Sequence, residues 1–177
     1  MLDIRANGVI IRMADKPILT KKFNEELDVG RMIDEGGIQA RLYIGVQGND
    51  LEAAKSALEN TVFNRMAQEE SIYLLEVKMF DILKDKGKKK GEKLFSGVAE
   101  VTLVAEDFRW FINTILRYGP SAFEIVDPPE VRLNSEQMHS LAADVSDFVH
   151  MYSQQIIAMF KDPERRHLYE KMLKGQD

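Results

Sequence analysis

The sequence predicts an α+β fold of the ferredoxin-like kind, a βαββαβ two-layer sandwich with an N-terminal β-hairpin extension and a long C-terminal helix. Three observations carry that expectation. Between Ile38 and Asp127 the order strand, amphipathic helix, strand occurs and then recurs after a Lys-rich loop. Residues able to cap a helix, Asn49-Asp50 and Asp107, precede the two helical patterns. Beyond Asn134 an apolar seam repeats every three or four residues as far as Met159.

Residues Asp3 to Phe23 read as a hairpin. Val9, Ile10 and Ile11 are β-branched, as are Ile18 and Thr20 in the stretch Ile18 to Thr20, and Ala14-Asp15-Lys16-Pro17 supplies turn chemistry between them. From Asn24 to Gly37, a short helix with Leu27, Met32 and Ile33 ends at Gly36-Gly37. These residues, 1–37, form an extension and linker to a core over 38–133, and 134–177 form a helical extension.

The core opens on the cleanest alternation in the chain. Ala40, Leu42, Ile44 and Val46 alternate with Gln39, Arg41, Tyr43 and Gln47, so one face packs and the other does not. Asn49 with Glu52 fits a capping box, and Leu51, Ala54, Leu58, Val62 and Met66 form the buried stripe of the first helix. Ser71 to Lys84 reads as one strand, with Tyr73, Leu75, Val77 and Met79 on one face. Leu94 to Ala105 is the next. Asp107 caps a helix whose stripe is Phe108, Phe111, Ile112 and Ile115, and Gly119-Pro120 ends it. Ala122 to Val126 is the last strand, closed by Pro128-Pro129. A helix from Ser135 to Phe160 follows, and Asp162-Pro163 restarts a short terminal helix.

Composition narrows the function classes. There is no cysteine, which excludes disulfides, thiolate metal sites and a Cys nucleophile, and fits a reducing cytoplasm. A net charge of −5 disfavours a general nucleic-acid surface. The first residues lack a basic segment followed by an apolar run, so no signal peptide is expected, and no apolar stretch approaches a membrane span.

Candidate chemistry is sparse. Lys88, Lys89 and Lys90 form the centre of a basic loop that could meet phosphate or nucleic acid, although the spacing is not that of a Walker loop. A charged connection kept soluble is the simpler reading. Glu136 with His139 and Asp147 with His150 place carboxylate and imidazole one helical turn apart, half of what a bundle metal site needs. A solvated helix flank explains them as well. Glu76, Glu100 and Glu124 share the sheet face opposite the helices, where they bind a cation or pair with Lys78 and Arg41. That face also carries Tyr43, Phe80, Ile82, Val98, Thr102, Val104 and Val126, too apolar a set to be left in water.

Residues 101–131, with Tyr118-Gly119-Pro120, Phe123-Glu124-Ile125 and Asp127-Pro128-Pro129-Glu130-Val131, resemble the end of the C-terminal extension of WYL-type bacterial regulators. The Trp-Tyr-Leu signature itself is absent. The resemblance implies a ferredoxin-like module used for assembly or effector response.

The reading that follows is a non-enzymatic cytoplasmic protein that self-associates as a dimer or higher oligomer, with a regulatory or effector-binding role. Phe148, Tyr152, Ile156 and Phe160 on the distal half of the long helix form its interface. A small-molecule effector is compatible with it, and no cofactor is identifiable. The alternatives are a carboxylate- or metal-dependent enzyme and a nucleic-acid-binding module using the lysine loop. No catalytic constellation in the chain selects an enzyme.

Overall fold

A computed structural model describes residues 2–6, 9–13, 16–86, 93–160, 163, 167 and 171–172. In chain order the elements are β1 (Leu2–Ala6), β2 (Val9–Met13), β3 (Leu19–Lys22), α1 (Val29–Asp34), β4 (Ile38–Gly48) and α2 (Leu51–Glu59). They continue as β5 (Ile72–Met79), β6 (Leu83–Lys86), β7 (Lys93–Ala105), α3 (Phe108–Tyr118), β8 (Ala122–Asp127) and α4 (Ser135–Met159). By compactness the chain divides into two units, Met1–Arg132 and Leu133–Asp177, so the N-terminal extension groups with the sheet.

The first unit is a mixed α+β structure. Its main sheet runs β3-β5-β7-β4-β8, with β6 continuing along β7 beyond β5, and every neighbouring pair is antiparallel. β4 alternates as its sequence dictates: Ile38, Ala40, Leu42 and Ile44 are buried and the residues between them are not. α2 with the turns that continue it supplies Leu58, Val62 and Met66, and α3 supplies Phe111, to the same buried cluster as Leu42, Val101 and Leu103. Both helices therefore cover one face of the sheet.

α2 keeps its face on the sheet by changing pitch. Ala54, Leu58, Val62 and Met66 are buried at intervals of four, which an α-helix would carry about 40° round at each step. The chain instead widens into a π-helical turn over Asn60–Arg65 and then tightens into a 3₁₀ turn over Met66–Gln68. The cap is Asp50, whose carboxylate accepts from the Ala53 N–H at 2.8 Å, rather than Asn49. Leu51, expected in the buried stripe, is exposed.

Three sequence expectations are corrected. The N-terminal hairpin pairs β1 with β2, and β3 pairs instead with β5 in the main sheet. The overlooked signal is Asn7-Gly8 between Ala6 and Val9, a residue pair that favours two-residue hairpin connections. Of the turn expected at Ala14 to Pro17, Ala14 and Asp15 lie outside the described residues. The strand expected over Ser71 to Lys84 is two strands, β5 and β6, laid successively along β7. β5 also bulges between Leu74 and Glu76. Its buried set is consequently Ile72, Leu74, Val77 and Met79 rather than the simple alternation from Tyr73. On the opposite edge of β5 the chain past β3 continues the pairing. Phe23 N–H reaches Leu75 O at 2.9 Å, and the Asn24 side-chain amide reaches Leu74 O at 2.9 Å.

The other sheet face is buried at Phe80, Val98 and Val104, which lie outside the helix-side cluster. Ile82 was expected there, but the break between β5 and β6 turns it to the helix side. β7 has strands along both edges and helices over one face, and β2 approaches β7 while β1 approaches β8. The hairpin thus lies over the second face. No helix among the described residues is long and apolar enough to cross a membrane.

Candidate functional site

α4 begins with a reciprocal cap. Asn134 accepts from Gln137 N–H at 2.9 Å, and the Gln137 side chain accepts from Asn134 N–H at 2.9 Å. The helix then runs for 25 residues, about 38 Å. Met138, Val145, Tyr152 and Met159 recur every seven residues and are 51%, 38%, 55% and 77% exposed. Val149, beside them, is also exposed. Of the four residues expected to form an interface, Tyr152 is exposed, while Phe148, Ile156 and Phe160 are half-buried. The Phe148 and Tyr152 rings stack with centroids 6.1 Å apart and planes at 8°. A seven-residue apolar repeat is the spacing with which one helix meets another.

Glu136, His139, Asp147 and His150 occupy the opposite side of α4, all exposed. The two pairs are about 16 Å apart along the axis, too far to share one ion. Among the described residues no group of three or more His, Cys, Asp or Glu side chains is placed to hold a metal. Lys88, Lys89 and Lys90 lie outside the described residues.

Charges across the second sheet face are paired off. Lys78 Nζ on β5 bridges Glu76 and Glu100, each at 2.9 Å. Arg41 Nη1 on β4 meets Glu124 on β8 at 2.9 Å, and its Nε lies 3.8 Å from Glu100. Lys78 and Arg41 thus close a row of charges over four strands, with each of the three carboxylates in an ion pair. Hydrogen bonds to Glu100 and Glu76 hold the Lys78 ammonium above its ordinary pKa. Burial, then the Glu100 carboxylate, pushes the Tyr43 phenol up as well. At 3.8 Å the Arg41 Nε contact with Glu100 is electrostatic, and that buried nitrogen makes no hydrogen bond.

A third polar group was not legible in the sequence, because its members are 48 and 49 residues apart. Arg117 Nη1 contacts both oxygens of Glu69 at 2.7 Å, and Tyr118 donates its hydroxyl to Glu69 Oε1 at 2.6 Å. The Arg65 guanidinium lies 5.6 Å from the Tyr118 ring centroid. Burial pulls the Glu69 pKa upward, but hydrogen bonds from Tyr118 and Arg117 outweigh it and hold the carboxylate below its ordinary range. The hollow beside it, edged by Trp110 and Thr114, measures about 10 Å³, room for one water rather than a substrate.

A broad, open concavity of about 540 Å³ lies between α1 and the end of β7, lined by Leu27, Asp28, Arg31, Met32, Glu35, Tyr73 and Glu106. Inside it Arg31 Nε pairs with Glu35 at 2.8 Å and Tyr73 donates to Glu106 at 3.1 Å. That last bond, helped by burial, pushes the Tyr73 phenol up.

A family model, described as the MJ0538 family, matches residues 39–174, well over half of the chain. The chain belongs to the MJ0538 family. No curated protein and no solved structure matches it. The MJ0538-family match begins within β4 and takes in the charge row, the Glu69 cluster and all of α4, leaving β1, β2, β3 and α1 outside it.

Proposed function

We propose that this MJ0538-family protein is a non-catalytic assembly module, a ferredoxin-like α+β domain that self-associates through α4. The order β8-β4-β7-β5 with α2 and α3 over one face supports the ferredoxin-like assignment. The observation that carries the functional reading is the exposed apolar repeat Met138, Val145, Tyr152 and Met159. Contiguous apolar surface of this kind marks interaction sites, and a second copy is the partner always present at the same concentration. The pairing of Glu76, Glu100 and Glu124 with Lys78 and Arg41 uses up charge that an active site would keep available.

Light scattering across a micromolar concentration series tests this. The expected mass is twice the 20.3 kDa of one chain or a higher multiple. A mass that stays at one chain throughout refutes it.

A second reading, an effector-binding role, draws on the concavity beside α1. Asp28, Glu35 and Glu106 against the single Arg31 favour a small cationic ligand. Thermal-shift titration with short diamines and triamines tests it, and no shift up to millimolar concentration counts against it.

A further inference from the structure

All the sulfur in this chain is thioether, because it holds nine methionines and no cysteine. Met66 and Met79 are buried in the core beneath the sheet, whereas Met138, Met151 and Met159 on α4 are each more than half exposed. A peroxide must touch the sulfur to oxidise it, so exposure divides these methionines chemically.

Their placement on α4 divides them again. Met138, near its start, and Met159, its last residue, are the two ends of the apolar repeat whose inner members are Val145 and Tyr152. Met151 lies about 100° round the helix from Tyr152, outside the repeat. Leucine or valine at the two end positions would be as apolar as methionine but would have no oxidation chemistry.

Hydrogen peroxide oxidises a thioether in one step. The sulfur lone pair attacks one peroxide oxygen, an S–O bond forms, the O–O bond breaks and water leaves. Sulfur gives up two electrons and the peroxide takes them. The sulfoxide that remains is a polar acceptor, costly to bury without a donor.

We infer that Met138 and Met159 form a reversible oxidation site for hydrogen peroxide, through which both ends of the α4 repeat change from apolar to polar. The consequence for assembly rests on the self-association proposed above: oxidation of the two thioethers disfavours the associated state, and a thiol-dependent methionine sulfoxide reductase restores it.

The test treats the full chain with hydrogen peroxide over a concentration series of the protein. Each methionine is followed by peptide mass spectrometry, and light scattering is recorded on the same samples. Met138 and Met159 are expected to oxidise at least about ten times faster than Met66 and Met79, fastest in the most dilute sample. Rates as slow as those of Met66 and Met79 at every concentration would overturn the site. After oxidation the mass is expected to fall to that of one chain, and to recover with sulfoxide reductases and dithiothreitol. Met138→Leu combined with Met159→Leu is expected to hold its mass under peroxide, whereas Met151→Leu is expected to lose it as the parent does. An oxidised parent that keeps its oligomeric mass would overturn the switch while leaving self-association standing. Loss of mass by the doubly substituted protein under peroxide would overturn the assignment to these two residues. A single-chain mass in the untreated protein at every concentration would overturn self-association and the switch together, with the oxidation rates still deciding the site.

Discussion

Tyr118, the last residue of α3, donates its hydroxyl to Glu69, just past the 3₁₀ turn that ends the continuation of α2, across 2.6 Å. The bond ties together the ends of the two helices that cover the sheet. Arg117 adds contacts to both carboxylate oxygens, so Glu69 is held from the same turn of α3 by a phenol and a guanidinium.

Burial and the Glu69 bond push the Tyr118 phenol up to about 12. An acid whose folded pKa exceeds its unfolded value of 10.0 adds stability below pH 10, and that stability is lost as pH climbs through about 12. Difference absorbance titration of the protein against Tyr118→Phe is expected to isolate one phenol ionising near 12. The substitution is expected to lower stability by about 1 kcal/mol, the partial exposure of the pair limiting the effect. A Tyr118 ionisation near 10 would show that the bond is absent in solution.

The charge row predicts unequal consequences for its carboxylates. The side chain of Glu100 is 13% exposed and faces Lys78 and Arg41, whereas that of Glu124 is 60% exposed. Urea unfolding of Glu100→Gln is expected to show a loss of about 1–3 kcal/mol, and of Glu124→Gln less than about 0.5 kcal/mol. Because Lys78 has its pKa raised, its contribution is full below the ordinary lysine value of 10.5 and falls as pH rises past its folded value. Equal losses for the two substitutions would contradict the burial difference.

Two glycines are constrained by different neighbours. A Cβ on Gly37 would sit 2.7 Å from the Met32 carbonyl oxygen and 3.2 Å from that of Ala105, both backbone atoms that cannot turn aside. A Cβ on Gly97 would overlap the Cδ1 of Ile82, the free end of a side chain that can rotate. Gly37→Ala is therefore expected to cost about 1–3 kcal/mol, and Gly97→Ala less. Thermal unfolding of the two variants checks the ranking, and the reverse order would refute it.

Leu58 is fully buried between α2 and the sheet, so Leu58→Ala is expected to cost about 2–5 kcal/mol in denaturant unfolding. Leu51, on the same helix but exposed, serves as the control, and Leu51→Ala is expected to cost less than about 0.5 kcal/mol.

Val149→Asp with Tyr152→Asp tests the assembly role of α4. Both positions are exposed in the single chain, so the doubly substituted protein is expected to fold and to scatter as a monomer. An unchanged oligomeric mass would remove α4 from the interface.

The sequence by itself determined the elements whose signals are local. The alternation from Ile38 to Val46, the cap at Asp107, the left-handed Gly119 that ends α3 and the Asn134 cap of α4 each depend on neighbours a few residues away. The seam of α4 was legible for the same reason, since a helical repeat is a property of spacing. Tertiary structure alone decided what depends on distant pairing. β3 joined the main sheet because β5 offered it a free edge, and the bulge between Leu74 and Glu76 reset which residues of β5 face the core. Glu69 found Arg117 and Tyr118 only once α3 had packed against the sheet; the pairing of Glu100 with Lys78 and Arg41 was one of two readings open from the sequence, and strand register decided between them. A side chain's periodicity is written in its neighbours, but its partner across a fold is set by a register that no local signal encodes.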